Sequence, residues 1–200
     1  MRVRVCAGLL VLLLSACTGR RQLRPVVPWC VEPTGQLASD AAADSIAGSY
    51  VLTMVATKGA RAGERVGGRL TLLPTEGEWR QLIGAGGSPD PNTVIQAYGT
   101  TDIALEEVGA IRVGDIASSD VSKPGVAVLQ TKAGAGAGGR PTITLRLGSA
   151  ANERGVLRFD GGFTVLYVRK MDRAGFAGGW ASGVRDKQAE GFFCAYRNGG

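Results

Sequence analysis

"TITLRL", residues 142–147, decides how this chain is read. Ile143, Leu145 and Leu147 alternate with Thr142, Thr144 and Arg146. A period of two places the aliphatic side chains on one face and the polar ones on the other, as in a half-buried strand. The same pattern runs through "VGGRLTLL" (66–73), where Val66, Leu70 and Leu72 oppose Arg69 and Thr71. "SYVLTMVAT" (49–57) is β-branched and apolar, and "GFAGGWASG" (175–183) and "GFFCAYR" (191–197) add late strands. "VLRFDGGFTVLYVRK" (156–170) reads as a hairpin, because Asp160-Gly161-Gly162 supplies the positive φ angles of a tight turn. Weaker strands fit "TVIQAYG" (93–99), "GAIRVGD" (109–115) and "PGVAVLQT" (124–131). "SDAAADSIAG" (39–48) suits one or two helical turns, with Ser39 or Asp40 as N-cap and Gly48 as stop.

These are about nine short runs with turn signals between them and no long amphipathic helix. The expected fold is all-β: an antiparallel up-and-down barrel of about eight or nine short strands, with a sandwich as the alternative. Gly accounts for 31 of 200 residues, about twice the usual share, as bent strands and tight turns require.

The N-terminus is a different kind of sequence. Arg2 and Arg4 precede an apolar run from Ala7 to Leu14, and no acidic residue appears before Glu32. Roughly ten helical residues span about 15 Å, half of a bilayer core, so the run is too short to cross and reads as a secretory signal. Its end, Leu14-Ser15-Ala16-Cys17, resembles the lipobox of bacterial lipoproteins at all four positions. The resemblance implies cleavage between Ala16 and Cys17 and a diacylglyceryl group on the Cys17 thiol. Two or more acyl chains anchor stably, each buried methylene contributing about 0.8 kcal/mol. The expected organisation is a signal peptide at 1–16, a lipidated N-terminus, tether and short helical turn at 17–47, and the barrel at 48–200. Thr18, where an aspartate retains many such proteins at the inner membrane, favours the outer membrane of the cell envelope, with the barrel facing the periplasm or the surface.

Charge and cysteine usage follow from that address. The formal charge of +6 loses Arg2 and Arg4 with the signal, and an exported chain is not expected to meet nucleic acid. Arg20, Arg21 and Arg24 lie beside the anchor and fit either a solvated linker or contact with anionic head groups, the latter at about 1 kcal/mol each near the surface. Cys6 leaves with the signal and Cys17 takes lipid, so Cys30 and Cys194 remain as an expected disulfide in an oxidising compartment. The absence of histidine from the chain removes the Ser-His-Asp and Cys-His arrangements and the usual zinc sites. No metal, cofactor or catalytic residue is assigned.

Gly48-Ser49-Tyr50 is similar to the Gly-x-Trp that opens lipocalin barrels, and Phe176-Ala177-Gly178-Gly179-Trp180 resembles late strands of the wider calycin group. The resemblance implies a cup-shaped binder of a small apolar ligand. Phe163 and Tyr167 on one strand and Phe176 and Trp180 on the next are the candidate ligand wall, with Gly178 leaving a notch between the last two; alternatively these aromatics fill the core and a side chain from a facing strand fills the notch. The alternative is a structural or protein-interaction module of the envelope. A carboxylate-dependent hydrolase built from Asp102, Glu106, Glu107, Asp115 or Asp120 is a poorer fit, since these read as a solvated loop. The G-x-G-x-x-G at 134–139 precedes a strand, not a helix, and reads as a hairpin loop. Ser182 is one place late for a nucleophile elbow and reads as a strand or turn residue.

Overall fold

The computed structural model describes residues 29–75, 81–83, 93–111, 125–131, 141–148, 151–153, 156–158, 163–184 and 187–198. The signal, Cys17, the basic tether residues and the glycine-rich loop lie outside the described residues.

The alternating segments become strands β1 (Gly48–Lys58), β2 (Arg65–Pro74), β3 (Gln81–Ile83), β4 (Thr93–Thr101), β5 (Val126–Thr131), β6 (Thr142–Leu147), β7 (Ala151–Glu153), β8 (Val156–Arg158), β9 (Phe163–Asp172), β10 (Gly175–Val184) and β11 (Lys187–Arg197). Eight of them close into a barrel in the order β1-β11-β10-β9-β6-β5-β4-β2. Every pairing in it is antiparallel. With the three shortest strands set aside, barrel neighbours are also chain neighbours and β1 closes on β11, which is the up-and-down topology.

The short strands form a separate sheet, β3-β8-β7. The hairpin expected over 156–170 is therefore not made. β8 runs parallel to β3 and antiparallel to β7, whereas β9 pairs with β6 and β10. A three-residue strand offers too short a ladder to compete for a ten-residue neighbour, and alternation alone does not name a partner.

The inward parity is set by register. Leu52 faces Ala195 and Gly68 across its two ladders, and Trp180 faces Leu166 and Gly191. Val66, Leu70 and Leu72 on β2 and Ile143, Leu145 and Leu147 on β6 join one core, on the faces that alternation assigns them. Ile46 and Leu105 close that core from the two ends. They belong to two 3-10 turns, η1 (Ala43–Ile46) before β1 and η2 (Leu105–Val108) after β4.

Residues 39–48 thus hold a single 3-10 turn whose N-cap, Ala42, makes no side-chain cap, rather than a turn capped by Ser39 or Asp40. Tertiary contacts set it: the Ala43 N–H donates to Gln130 Oε1 (3.1 Å), and Gln130 Nε2 donates to the Ala41 carbonyl (3.2 Å). Of the strand expected over 109–115, the described residues 109–111 are not strand, since Gly109 ends η2 in the left-handed region, and the rest lies outside the described residues. The Cys30–Cys194 disulfide, with a Cα–Cα distance of 5.7 Å, clips the incoming chain to β11.

Candidate functional site

The four aromatics singled out as a ligand wall are not brought together. Phe176 and Trp180 are buried inside the barrel. Phe163, Val165 and Tyr167 do share a face of β9, but it is the outer one, and Tyr167 is 45% exposed. The inward face of β9 belongs to Thr164, Leu166 and Val168, since Leu166 lies opposite Trp180 and Leu145.

The notch at Gly178 is filled from a facing strand. Phe193 lies opposite Gly178, where a Cβ would stand 2.9 Å from its ring. Trp180 lies opposite Gly191 in the same way, with its indole nitrogen 2.7 Å from where a Cβ would be. Each glycine leaves room for the large ring across the ladder and for a still closer backbone carbonyl, that of Tyr167 at Gly178 and that of Val55 at Gly191, so large and small groups interdigitate as close packing demands. Phe176 sits edge-on to both Tyr50 (5.0 Å between centroids) and Phe193 (6.0 Å). Trp180 Nε1 donates to the Val55 carbonyl (3.0 Å), which satisfies the buried indole.

Both ends of the barrel are tied shut. At one, the Tyr50 hydroxyl donates to the Ile46 carbonyl (2.7 Å) and the Arg197 guanidinium lies 5.1 Å from the Tyr50 ring centroid. Arg197 also donates to the Ala47 and Ser45 carbonyls (3.1 and 3.3 Å), binding the last strand to η1. Tyr50 thus sits at the start of β1 as part of a latch. Burial raises its phenol pKa above the ordinary 10.0, and the nearby guanidinium offsets this in part. A cleft of about 580 Å³ lies beside this latch, lined by Ile46, Tyr50, Met171, Asp172 and Arg197 among others.

At the opposite end Ser182 ties down the chain, its hydroxyl donating to the Phe163 carbonyl (2.9 Å). Its Oγ accepts from the Ile111 N–H (2.7 Å) and lies 2.6 Å from Thr164 Oγ1. Thr164 Oγ1 also donates to the Ile111 carbonyl (2.9 Å). Two hydroxyls therefore hold the chain that leaves η2. Asp102 Oδ1 accepts from the Arg69 N–H (2.6 Å), while Glu106 and Glu107 are exposed on η2. Asp115 and Asp120 lie outside the described residues. Among the described residues no cluster of His, Cys, Asp and Glu is placed to hold a metal.

Among the described residues, a further concavity lies in the wall. β6 and β9 pair only from Thr144–Tyr167 to Leu147–Thr164, so Thr142 and Ile143 extend past the end of that ladder. There the wall gives way to a groove of about 490 Å³ lined by Gly35–Leu37, Pro141–Thr144 and Tyr167–Arg169. Leu37, Ile143 and Val168 are buried and form an apolar floor, Tyr167 stands exposed beside them, and Thr142 and Arg169 are exposed at the rim. Arg169 has no partner in the β9–β10 register, which shifts at that point, so a bulge presents it. Of the residues lining it, Tyr167 alone stands out in the sequence, because the site is made by a ladder's end rather than by a motif.

The chain matches no protein-family model, and no curated protein is similar to it. Among solved structures, one described as "Structure of EF1p2_mFAP2b bound to DFHBI" is similar with a TM-score of 0.31 and 12% identity, over 80% of this chain and 100% of that one. That likeness is too distant to argue from.

Proposed function

We propose that this chain is a lipid-anchored, non-catalytic binding module of a bacterial envelope, and that its small apolar ligand sits in the groove at the β6–β9 seam instead of the lumen. The observation that carries the site is the groove itself. The lumen is occupied by Tyr50, Phe176, Trp180 and Phe193, whereas the seam joins a buried apolar floor to an exposed tyrosine. A concavity of about 490 Å³ suits a single small molecule. The anchor rests on the lipobox alone.

The test separates the two places. Uptake of an uncharged apolar fluorophore is expected to fall at least about tenfold in Tyr167→Ala, the size of one lost anchoring contact. Phe176→Leu, on the lumen side, leaves uptake unchanged. Equal loss in both variants, or no uptake by the wild type, sinks the groove reading. For the anchor, Cys17→Ala is expected to leave an uncut precursor without lipid, and a mutant processed like wild type rejects it.

A second reading, an interaction module, draws on an exposed aromatic surface around the disulfide, where Trp29 is 64% and Val31 71% exposed.

A further inference from the structure

Outward parity on three adjacent strands composes an ordered surface. Tyr196 and Phe192 on β11 lie opposite Val51 and Val55 on β1. Those valines in turn lie opposite Arg69 and Arg65 on β2. Across the barrel's outside the rows therefore run aromatic, aliphatic, basic. Trp29 joins the aromatic row edge-on to Tyr196, at 6.0 Å between ring centroids, and Val31 stands exposed one residue beyond Cys30. The acidic residue nearest on β11, Glu190, is paired with Lys58 at 2.8 Å. Glu32 is exposed beside Val31 and sets an acidic edge to the patch.

We infer that this face, with Trp29, Val31, Phe192 and Tyr196 beside Arg65 and Arg69, seats on an anionic lipid surface and fixes how the barrel stands on its membrane. The inference rests on the lipid-anchor reading. Two observations choose the membrane over a protein. The first is position: Cys30 pins the chain to β11, so the pull of an anchor at Cys17 is delivered to this face. Twelve peptide units separate Cys17 from Trp29, a reach of at most about 43 Å. The second is chemistry. Tryptophan and tyrosine, with an apolar body and a polar edge, prefer the head-group layer, and arginines beside them meet anionic lipid phosphates. The outer strand positions also carry Arg146, Arg169 and Lys170 around an apolar lumen, the reverse of a barrel that spans a bilayer. The face rests on the surface.

The experiment uses the full processed protein in vesicles of neutral and anionic phosphatidyl lipids brominated near the head group. Mass spectrometry first reads acylation at Cys17; an unacylated chain overturns the anchor reading, and the face is then read by vesicle co-flotation alone. With the acylated protein, tryptophan emission is expected to drop by about a third, one of three tryptophans, and the drop to vanish in Trp29→Phe. Arg65→Gln with Arg69→Gln is expected to weaken the quenching in anionic vesicles and leave it unchanged in neutral ones. Acylated protein with no Trp29-dependent quenching overturns the inference. So does quenching indifferent to both arginines, or protection of Trp29 by an envelope protein in place of lipid.

Discussion

Trp180 is the residue on which the filled lumen is most directly tested. It is buried, faces Gly191, and spends its indole N–H on Val55 two strands away. Trp180→Ala is expected to cost about 3–5 kcal/mol in urea unfolding without altering fluorophore uptake. Trp180→Phe keeps much of the volume but loses the hydrogen bond to the Val55 carbonyl, and is expected to cost about 1–3 kcal/mol. Tyr50 makes a pH-dependent contribution. Its folded pKa is raised above 10.0 by burial, so the stability it adds is complete below that value and is lost as pH climbs through the folded one. The midpoint of urea unfolding is expected to fall as pH rises above 10.0, and Tyr50→Phe to flatten that fall. Lys58, raised above 10.5 by its pairing with Glu190, loses its contribution over a neighbouring range, but it is fully exposed and screened. A steep alkaline limb surviving in Tyr50→Phe would place the sensitivity elsewhere.

At the scale of elements, the strands were legible because one face of each is buried, and alternation reports that directly. β2 and β6 have polar outer faces, so their inward residues could be read off. β9 has no such asymmetry: Phe163, Val165 and Tyr167 are as apolar as Thr164, Leu166 and Val168, and only pairing with β6 and β10 decides which set turns in. The ties that close the barrel carry a sequence signal of their own. Gln130, Thr101, Thr164 and Ser182 are polar residues on inward parity, and each holds a segment at a barrel end. Thr101 Oγ1, for example, donates to the Arg69 carbonyl (2.7 Å) and accepts from the Ile103 N–H (3.4 Å). A polar side chain on an apolar face marks where a lumen stops. Ser182→Ala orphans the Ile111 N–H and is expected to cost about 1–3 kcal/mol and to speed amide exchange over 103–111. Thr164→Val added to it is expected to cost less than its own single effect, because the two hydroxyls touch each other and hold the amide and the carbonyl of one residue, Ile111. Strict additivity would mean that the pair is not a unit.

For the whole molecule, closure is the expensive step. β1 and β11 lie at opposite ends of the barrel's chain, and their ladder, from Tyr50–Arg197 onward, must bring together residues about as far apart as any in the fold. Such non-local pairing is slow, since loop entropy is lost before contacts return it. The disulfide joins the same two regions with a sequence separation of 164. It therefore meets in advance a cost that β1–β11 pairing would otherwise bear, and its stabilisation, at most about 5 kcal/mol, acts through the unfolded chain. Cys194→Ser is expected to lower the melting temperature by about 10 °C, and Cys30→Ser added to it to do no further harm. Kinetics identify the source. If the bridge works by pre-closing the barrel, its loss slows refolding and leaves unfolding nearly unchanged. Faster unfolding with unaltered refolding would instead mean that the bridge holds the finished barrel, through the packing of Val51, Phe192 and Tyr196 around it.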